Sequence, residues 1–585
     1  MILLLKLALF LLSMGGWCLY ATHRAGLRAE LAPFVVLSGM GAVLYPAGLL
    51  NLYAPVEWAI WLGGLVLLAA YLLRRREALE PWMRGRTLVL ALAGGWMLWL
   101  MRGAVLFGHD NMSHWGIMVK TMVRFGRLPN TQNAAVEFVG YPPGTSGFIK
   151  YFCDFVGVSD GMMMFAQGLL LLAGVFALLV FCPPERGRRW GLGLWAAAAV
   201  FLLTGDLTPA DLRVDTLLAV LALGSLAVIA YYGPHDPQKA AWASMSGLML
   251  LALTKNSGLF FVAADLVVLS WFLLRRRDRK MVPALAAAWG VPLVSFWLWL
   301  RHVDLVFPQG DSSKHAVSVS GYESIFGGKT PEDMHTFNGM FARHLVDLSN
   351  PDTRCMWLLL ALVIAGALWL WLSGALGGKH ALLLGGGLIL GELLYVGCLW
   401  CTYAFSMTSS EMLCLASIQR YHLTGILYFT GALVIALLWA LGRTHVSTAR
   451  AVAGVLSTVL FAAMVLLGQP GQTEALICRA PYRNTGTQGE LLQLRQELGL
   501  EEGKRYLFYT RGDPQVDTWS MRYVARYVLN TDTVDFWQFP EQDFGYEDLY
   551  GTYDYLVLYA PDADSRAFLE EGFFDPDSRV LELIQ

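Results

Sequence analysis

Charge is scarce in this chain. Only 15% of its 585 residues are Asp, Glu, Lys or Arg, and 56% are hydrophobic, whereas soluble domains carry about a quarter charged residues. With a mean hydropathy of +0.49, that shortage marks an integral membrane protein. The formal net charge of −2 supplies no basic surface of the kind nucleic acid requires, so no nucleic-acid partner is expected. Cysteine is sparse as well: eight residues, scattered singly except for Cys398 and Cys401 inside an apolar run. That pair reads as two small helix residues rather than a redox couple, and neither a disulfide framework nor a four-cysteine zinc site follows. Also missing are GxxxxGK[ST], GxSxG, HExxH and a GxGxxG after a strand, which argues against an ATP-driven pump or a soluble-type hydrolase. No internal repeat or low-complexity tract is found.

Long apolar runs are what the chain does have. Runs of about 20 residues cross a bilayer as helices, and roughly fourteen are expected, from Ile2–Tyr20 to Ala451–Leu467. Three of them are Leu88–Phe107, Ala240–Leu253 and Trp190–Leu203, the last marginal in length. Lys6 and the small-x-small triplets lie within the first run, which favours a retained helix over a cleaved signal. Basic residues cluster in alternate loops: Arg74, Arg75 and Arg76; Arg186, Arg188 and Arg189; Arg275 to Lys280; Arg443 and Arg450. With fourteen helices all of these fall on one side, the cytoplasmic one. The chemically varied loops 108–161 and 301–354 then face outward with the tail. The expected fold class is mainly α, a polytopic membrane protein with a small C-terminal α/β soluble domain. Its parts are N-terminal transmembrane helices (1–87), a transmembrane core (88–468) and an extracytoplasmic α/β domain (469–585). In that tail, strands are expected at Arg505–Tyr509, Val534–Phe539 and Tyr553–Tyr559, with helices at Glu490–Leu498, Met521–Leu529 and Ser565–Glu571 and a turn at Gly512-Asp513-Pro514.

The stretch His109-Asp110-Asn111-Met112-Ser113-His114-Trp115 leaves the end of one apolar run and leads to Tyr141-Pro142-Pro143. Asp110 is the candidate base for an acceptor hydroxyl, because an ionisable group at a helix end is costly unless it is used or solvated. The alternative is a helix cap. His109 and His114 are metal-ligand residue types, but their spacing does not share one helix face. Hydrogen-bonding or acceptor-contacting roles are favoured, and no metal or other cofactor is assigned. Trp115 and Tyr141 are candidates for positioning the acceptor or the loop, since the Pro-Pro segment forces a rigid extended turn. Asp206, Asp211, Arg213 and Asp215 fall in one short outer loop. Asp215 is either a second catalytic carboxylate or a helix-dipole cap, and Arg213 offers a two-point grip on phosphate. Lys255, Arg420 and Lys120 are further candidate phosphate clamps, against a snorkelling alternative. Arg301, His302, Lys314 and His315 read as solvated loop residues. Arg102, Asp265 and Glu392 are the ionisable residues that fall inside apolar runs.

These features resemble the GT-C superfamily of membrane glycosyltransferases, in particular the bacterial branch related to protein O-mannosyltransferases and to aminoarabinose transfer to lipid A. The resemblance rests on Asp110 at the head of a long outer loop, the Tyr-Pro-Pro segment, Arg213-x-Asp215 before Leu217-Leu218, Lys255-Asn-Ser-Gly258, and Arg420-Tyr421. It covers about 88–467. Two departures stand out: three helices precede the one that delivers the acid, and the familiar Asp-Glu pair is Asp110-Asn111. The resemblance implies an inverting transferase in the cytoplasmic (inner) membrane. It would use a polyprenyl-phosphate sugar donor and an envelope lipid, glycan or protein acceptor, with Asp110 as base. A lipid-linked glycan polymerase or ligase, or a flippase or transporter, is the competing expectation.

Overall fold

The computed structural model describes residues 2–83, 85–106, 108–131, 136, 138–182, 188–204, 209–307, 317, 319–441, 486–510, 518–537, 549–559 and 578–583, with 563, 567 and 570. The expected helix Ala451–Leu467, the turn Gly512–Pro514 and most of the helix Ser565–Glu571 lie outside these residues, as do Asp206, Lys314 and His315.

The chain is an α-helical multi-pass membrane protein with a small sheet near its C-terminus. In order, the first helices are α1 (Ile2–His23), α2 (Ala32–Leu49), α3 (Tyr53–Arg74) and α4 (Gly85–Met101). Then come α5 (Gly116–Phe125), α6 (Gly144–Val156), α7 (Asp160–Ala177), α8 (Arg188–Thr204) and α9 (Asp215–Tyr232). Next are α10 (Pro237–Ala252), α11 (Gly258–Arg275), α12 (Val282–Val306), α13 (Val319–Gly327) and α14 (Pro331–His344). There follow α15 (Pro351–Leu372), α16 (Gly378–Ser406), α17 (Ser409–Leu413) and α18 (Ile418–Leu441).

Among the described residues, ten helical segments are long and apolar enough to cross a membrane. Three expected spans are helices but are shorter: α4 has 17 residues, α8 has 17 and α10 has 16. α10 ends at Leu253–Thr254, where the chain turns towards Lys255 and starts α11 at Gly258.

Close helix approach is set by small residues. α1 crosses α3 where Gly16 meets Gly64; a Cβ on Gly16 would lie 1.9 Å from the Gly64 carbonyl oxygen, so no larger residue fits without separating the helices. Phe34 of α2 lies against Gly224 of α9 and Gly247 of α10, so the N-terminal helices share one apolar core with the later ones.

The C-terminal sheet has strand order β2-β1-β3-β4, with β1 (Tyr506–Tyr509), β2 (Val534–Trp537) and β3 (Tyr555–Leu558) parallel and β4 (Val580–Glu582) antiparallel to β3. Helices Gly486–Leu498 and Thr518–Leu529 pack with it. β4 was not expected: three residues are too few to carry an alternation signal. The second helix docks the sheet unit on the membrane part. Tyr527 donates from its hydroxyl to Asp160 Oδ1 (2.5 Å), and Arg124 donates to the Asn530 and Gly503 carbonyls.

Candidate active site

The site is assembled from five separate segments of the chain. Asp110 heads a π-helical turn, Asn111–Trp115, that continues directly into α5. Such one-residue expansions of a helix redirect side chains and are frequent at functional sites. Asn111, in the place of the expected acidic partner, accepts a hydrogen bond from the Leu212 backbone N–H (3.3 Å). It thereby ties this turn to the segment that starts α9. The Tyr-Pro-Pro-Gly segment is pinned from both sides. Gly144 N–H donates to the Leu253 carbonyl (2.8 Å), and a Cβ at Gly144 would lie 2.7 Å from Leu253 Cβ. Trp299 Nε1 donates to the Gly140 carbonyl (3.1 Å). Tyr141 is thus placed beside Lys255, two residues beyond Leu253.

Four charges meet there. Arg420 Nη1 donates to Asp110 Oδ2 (2.5 Å), and its Nε lies 3.5 Å from Asp215 Oδ2. Lys255 Nζ donates to Asp215 Oδ1 (2.8 Å). Asp215 and Lys255 are buried, whereas the Asp110 side chain is 33% exposed. The Tyr421 ring stacks under both cations, 4.7 Å from Lys255 Nζ and 5.0 Å from the Arg420 guanidinium carbon. Burial alone would raise the Asp110 pKa, but the Arg420 guanidinium, helped by Arg213 and Lys255, holds it below the ordinary carboxylate value. Burial pushes the Tyr141 phenol well above its ordinary value.

Two cavities share this cluster. A small polar chamber of about 100 Å³ includes Asp110, Trp115, Glu411 and Arg420 in its lining. A larger one, about 440 Å³ and more apolar, runs past Tyr322, Tyr395, Leu399 and Phe405. Asp215, Lys255, Tyr141 and Tyr421 belong to both walls.

The structure therefore brings together Asp110, Trp115, Tyr141, Asp215, Lys255 and Arg420, and separates the rest. Lys120 is a correction: it is not at a phosphate pocket. Its ammonium donates to the Tyr527 carbonyl (3.0 Å) and sits 3.7 Å over that ring, because α5 faces the C-terminal unit. Arg213 is also corrected. It grips Asp211 with Nε and Nη2 at 2.7–3.2 Å, which uses its fork internally, and it lines neither cavity. His109 stacks on Trp519 with centroids 4.4 Å apart and lies edge-on to Tyr523, so the C-terminal unit reaches the residue next to Asp110. His114 is buried behind the chamber against Trp115, Phe138 and Tyr141. Trp115 stacks on Tyr141 at 5.8 Å.

The sequence expectations passed over one cluster. His344, Asp352 and His422 meet in a buried group. They lie on three helices, and their spacings of 8 and 70 residues make no local motif. The signal that existed was Glu392, an acid inside an apolar run, which lies beside His422.

No protein-family profile matches the chain, and no curated protein matches it. Solved structures do, among them two of ArnT. ArnT from Cupriavidus metallidurans bound to undecaprenyl phosphate is 14% identical, with a TM-score of 0.38, over 83% of this chain and 95% of that one. ArnT from the same organism in the apo state is 13% identical, with a TM-score of 0.37, over 83% of this chain and 94% of that one.

Proposed function

We propose that this protein is an inverting glycosyltransferase. It takes a sugar from a polyprenyl-phosphate donor and places it on an envelope lipid, glycan or protein at the outer face of the inner membrane. The observation that carries this is the position of Lys255 and Arg420. Lys255 stands where a polar chamber holding a carboxylate meets a larger, more apolar cavity, and Arg420 lines the chamber. A lipid phosphate sugar has that same sequence of parts: an apolar chain, an anionic phosphate and a polar sugar.

In this mechanism the phosphate sits against Lys255 and Arg420, and the isoprenyl chain follows the wall of Tyr322, Tyr395, Leu399 and Phe405. Asp110 removes the proton from the acceptor hydroxyl, and the oxygen attacks the anomeric carbon. The carbon–oxygen bond to phosphate breaks, and polyprenyl phosphate leaves as an anion held by the two cations. The proton on Asp110 then passes to water. Asp215 has one oxygen turned to each cation, so its proposed role shifts from a second catalytic acid to the holder of Lys255 and Arg420. The Asp110–Arg420 pair makes the resting carboxylate a weak base. An incoming phosphate competes for Arg420 and frees Asp110, so that base strength appears only with donor in place. Residues 1–87, 88–468 and 469–585 act as supporting helices, catalytic core and extracytoplasmic acceptor-side domain; the His109–Trp519 stack supports the last assignment.

The test is transfer from radiolabelled polyprenyl-phosphate sugars to a membrane extract by wild type and Asp110→Asn. Transfer by wild type that the folded variant loses supports the proposal. Equal transfer by both removes Asp110 as base and favours a polymerase or ligase that relies on basic residues alone. No transfer across a broad donor set, with binding of lipid-linked glycan retained, favours transport.

A further inference from the structure

Two residues beyond Arg420 on α18, His422 belongs to a second and different cluster. His344 Nε2 at the end of α14 lies 2.7 Å from Asp352 Oδ2, and His422 Nδ1 lies 2.8 Å from the same oxygen. Asp352 stands in the first turn of α15. On the other side of the His422 ring, Nε2 is 3.4 Å from Glu392 Oε1 of α16, without hydrogen-bond geometry. Asp352 is 0% exposed, Glu392 and His422 1%, and His344 9%.

Hydrogen bonding leaves this cluster incomplete. Asp352 Oδ1, both Glu392 oxygens and His422 Nε2 are buried with no partner. Among the described residues, the two imidazoles are the only charged partners of the two carboxylates. Buried polar atoms are almost always satisfied, and a carboxylate withdrawn from water without a partner costs several kcal/mol. Buried carboxylate atoms left without partners around one imidazole point to a missing positive centre there. The ligating atoms of His344, Asp352 and His422 all lie within 4.8 Å of one another, and the Glu392 carboxylate flanks the opposite nitrogen of His422.

We propose that His344, Asp352 and His422 form a buried structural site for a zinc-like divalent cation, with Glu392 at the far nitrogen of His422 orienting that ligand. Two imidazole nitrogens and an Asp352 oxygen suit such an ion, with water as the fourth tetrahedral ligand, and the burial of the three residues keeps substrate from it. Bonds of about 2.0–2.2 Å at tetrahedral angles separate two ligands by about 3.3 Å. The present contacts therefore open by roughly half an ångström when the ion enters and the proton between each pair leaves. The ion would join α14, α15 and α18, and so hold the helix end that carries Arg420. The proposal does not depend on the transferase assignment.

The experiment uses the full-length protein in detergent, stripped with a chelator and titrated with Co²⁺ and then Zn²⁺. One ion per chain is expected, with the intense visible ligand-field bands of a four-coordinate cobalt site, bleached by Zn²⁺. The thermal midpoint should fall on chelation and recover with Zn²⁺. His344→Gln and Asp352→Asn should each weaken binding by at least about tenfold, whereas His335→Gln, at an exposed position on α14, should not. If a variant fails to fold, the wild-type cobalt spectrum still decides. A folded wild type that binds no ion overturns the proposal. So does binding that folded His344→Gln and Asp352→Asn leave unchanged, or that His335→Gln abolishes.

Discussion

α18 carries two charged clusters one after the other, and they treat charge in opposite ways. Around Arg420, two cations face two carboxylates, every charge is matched, and the group borders two cavities. Around His422, two carboxylates face only imidazoles, several atoms are unmatched, and the group is sealed. Neither property alone marks a site. A third cluster, Lys150 with Glu57 (2.9 Å) and Asp154 (2.5 Å), sets one cation against two carboxylates and is mostly buried, yet it only ties α6 to α3. The open cluster can exchange a protein carboxylate for a ligand's phosphate. The closed one can exchange protons for a cation.

The largest effect should separate the two clusters outright. Asp110→Asn keeps size and one hydrogen bond to Arg420 but removes the base, so kcat for sugar transfer should fall by about 10²–10⁴-fold. Any bound divalent ion should stay as in wild type, and the melting temperature should fall only by the loss of the Arg420 ion pair. A normal kcat in this variant would place the base elsewhere. Next in size, Arg420→Lys keeps the charge but not the planar fork that spans Asp110 and Asp215. Losing one charge-assisted hydrogen bond is worth about 1.5–3 kcal/mol, so kcat/KM for the donor should drop by about 10- to 150-fold, mostly through KM. An effect confined to the acceptor's KM would argue that the cation does not bind the donor.

How much of this the sequence revealed follows from where each residue's partners lie. Asp110, Asp215, Lys255 and Arg420 stood out because ionisable groups at helix ends in an apolar chain need a reason to be there. Their grouping into one cluster was not legible, because they come from segments far apart in the chain. Lys120 misled because nothing local says that α5 faces the C-terminal unit, whose Tyr527 carbonyl takes the ammonium. Arg213 misled because its partner, Asp211, is two residues away and fills the fork that was assigned to phosphate. His344, Asp352 and His422 were illegible for the opposite reason: each is an ordinary polar residue until three helices bring them together. Helix existence was readable from apolar runs, and α8 and α10 follow theirs closely, whereas α4 ends at Met101 although its apolar run continues.

A smaller effect comes from the contact that holds the C-terminal unit near His109. Tyr527→Phe removes a hydroxyl that donates to Asp160 (2.5 Å). The loss should be about 1.5–3 kcal/mol, as for a hydrogen bond to a charged group. It is read as a lower melting temperature of that unit, with donor KM unchanged and both α18 clusters intact. If donor KM shifts as much as stability, the docked unit reaches further into the open cluster than its contacts indicate.

The smallest effect bears on the exchange at Arg420 itself. In the free protein the guanidinium holds the Asp110 pKa below its ordinary value of about 3.9. Its stabilisation is therefore complete above that value and fades only as pH falls through the lower folded pKa. Asp110→Asn should flatten the acid side of melting temperature against pH. If bound phosphate takes Arg420 away, the same carboxylate becomes more basic in the donor complex. The profile of kcat/KM reports the free enzyme and that of kcat the complex, so the acid limb of kcat should lie at higher pH. The displacement should be about one unit, the pKa equivalent of one charge-assisted hydrogen bond near 1.5 kcal/mol. Coincident limbs, or a kcat limb at the lower pH, would mean that Arg420 stays on Asp110 throughout turnover. The open cluster would then be as fixed as the closed one.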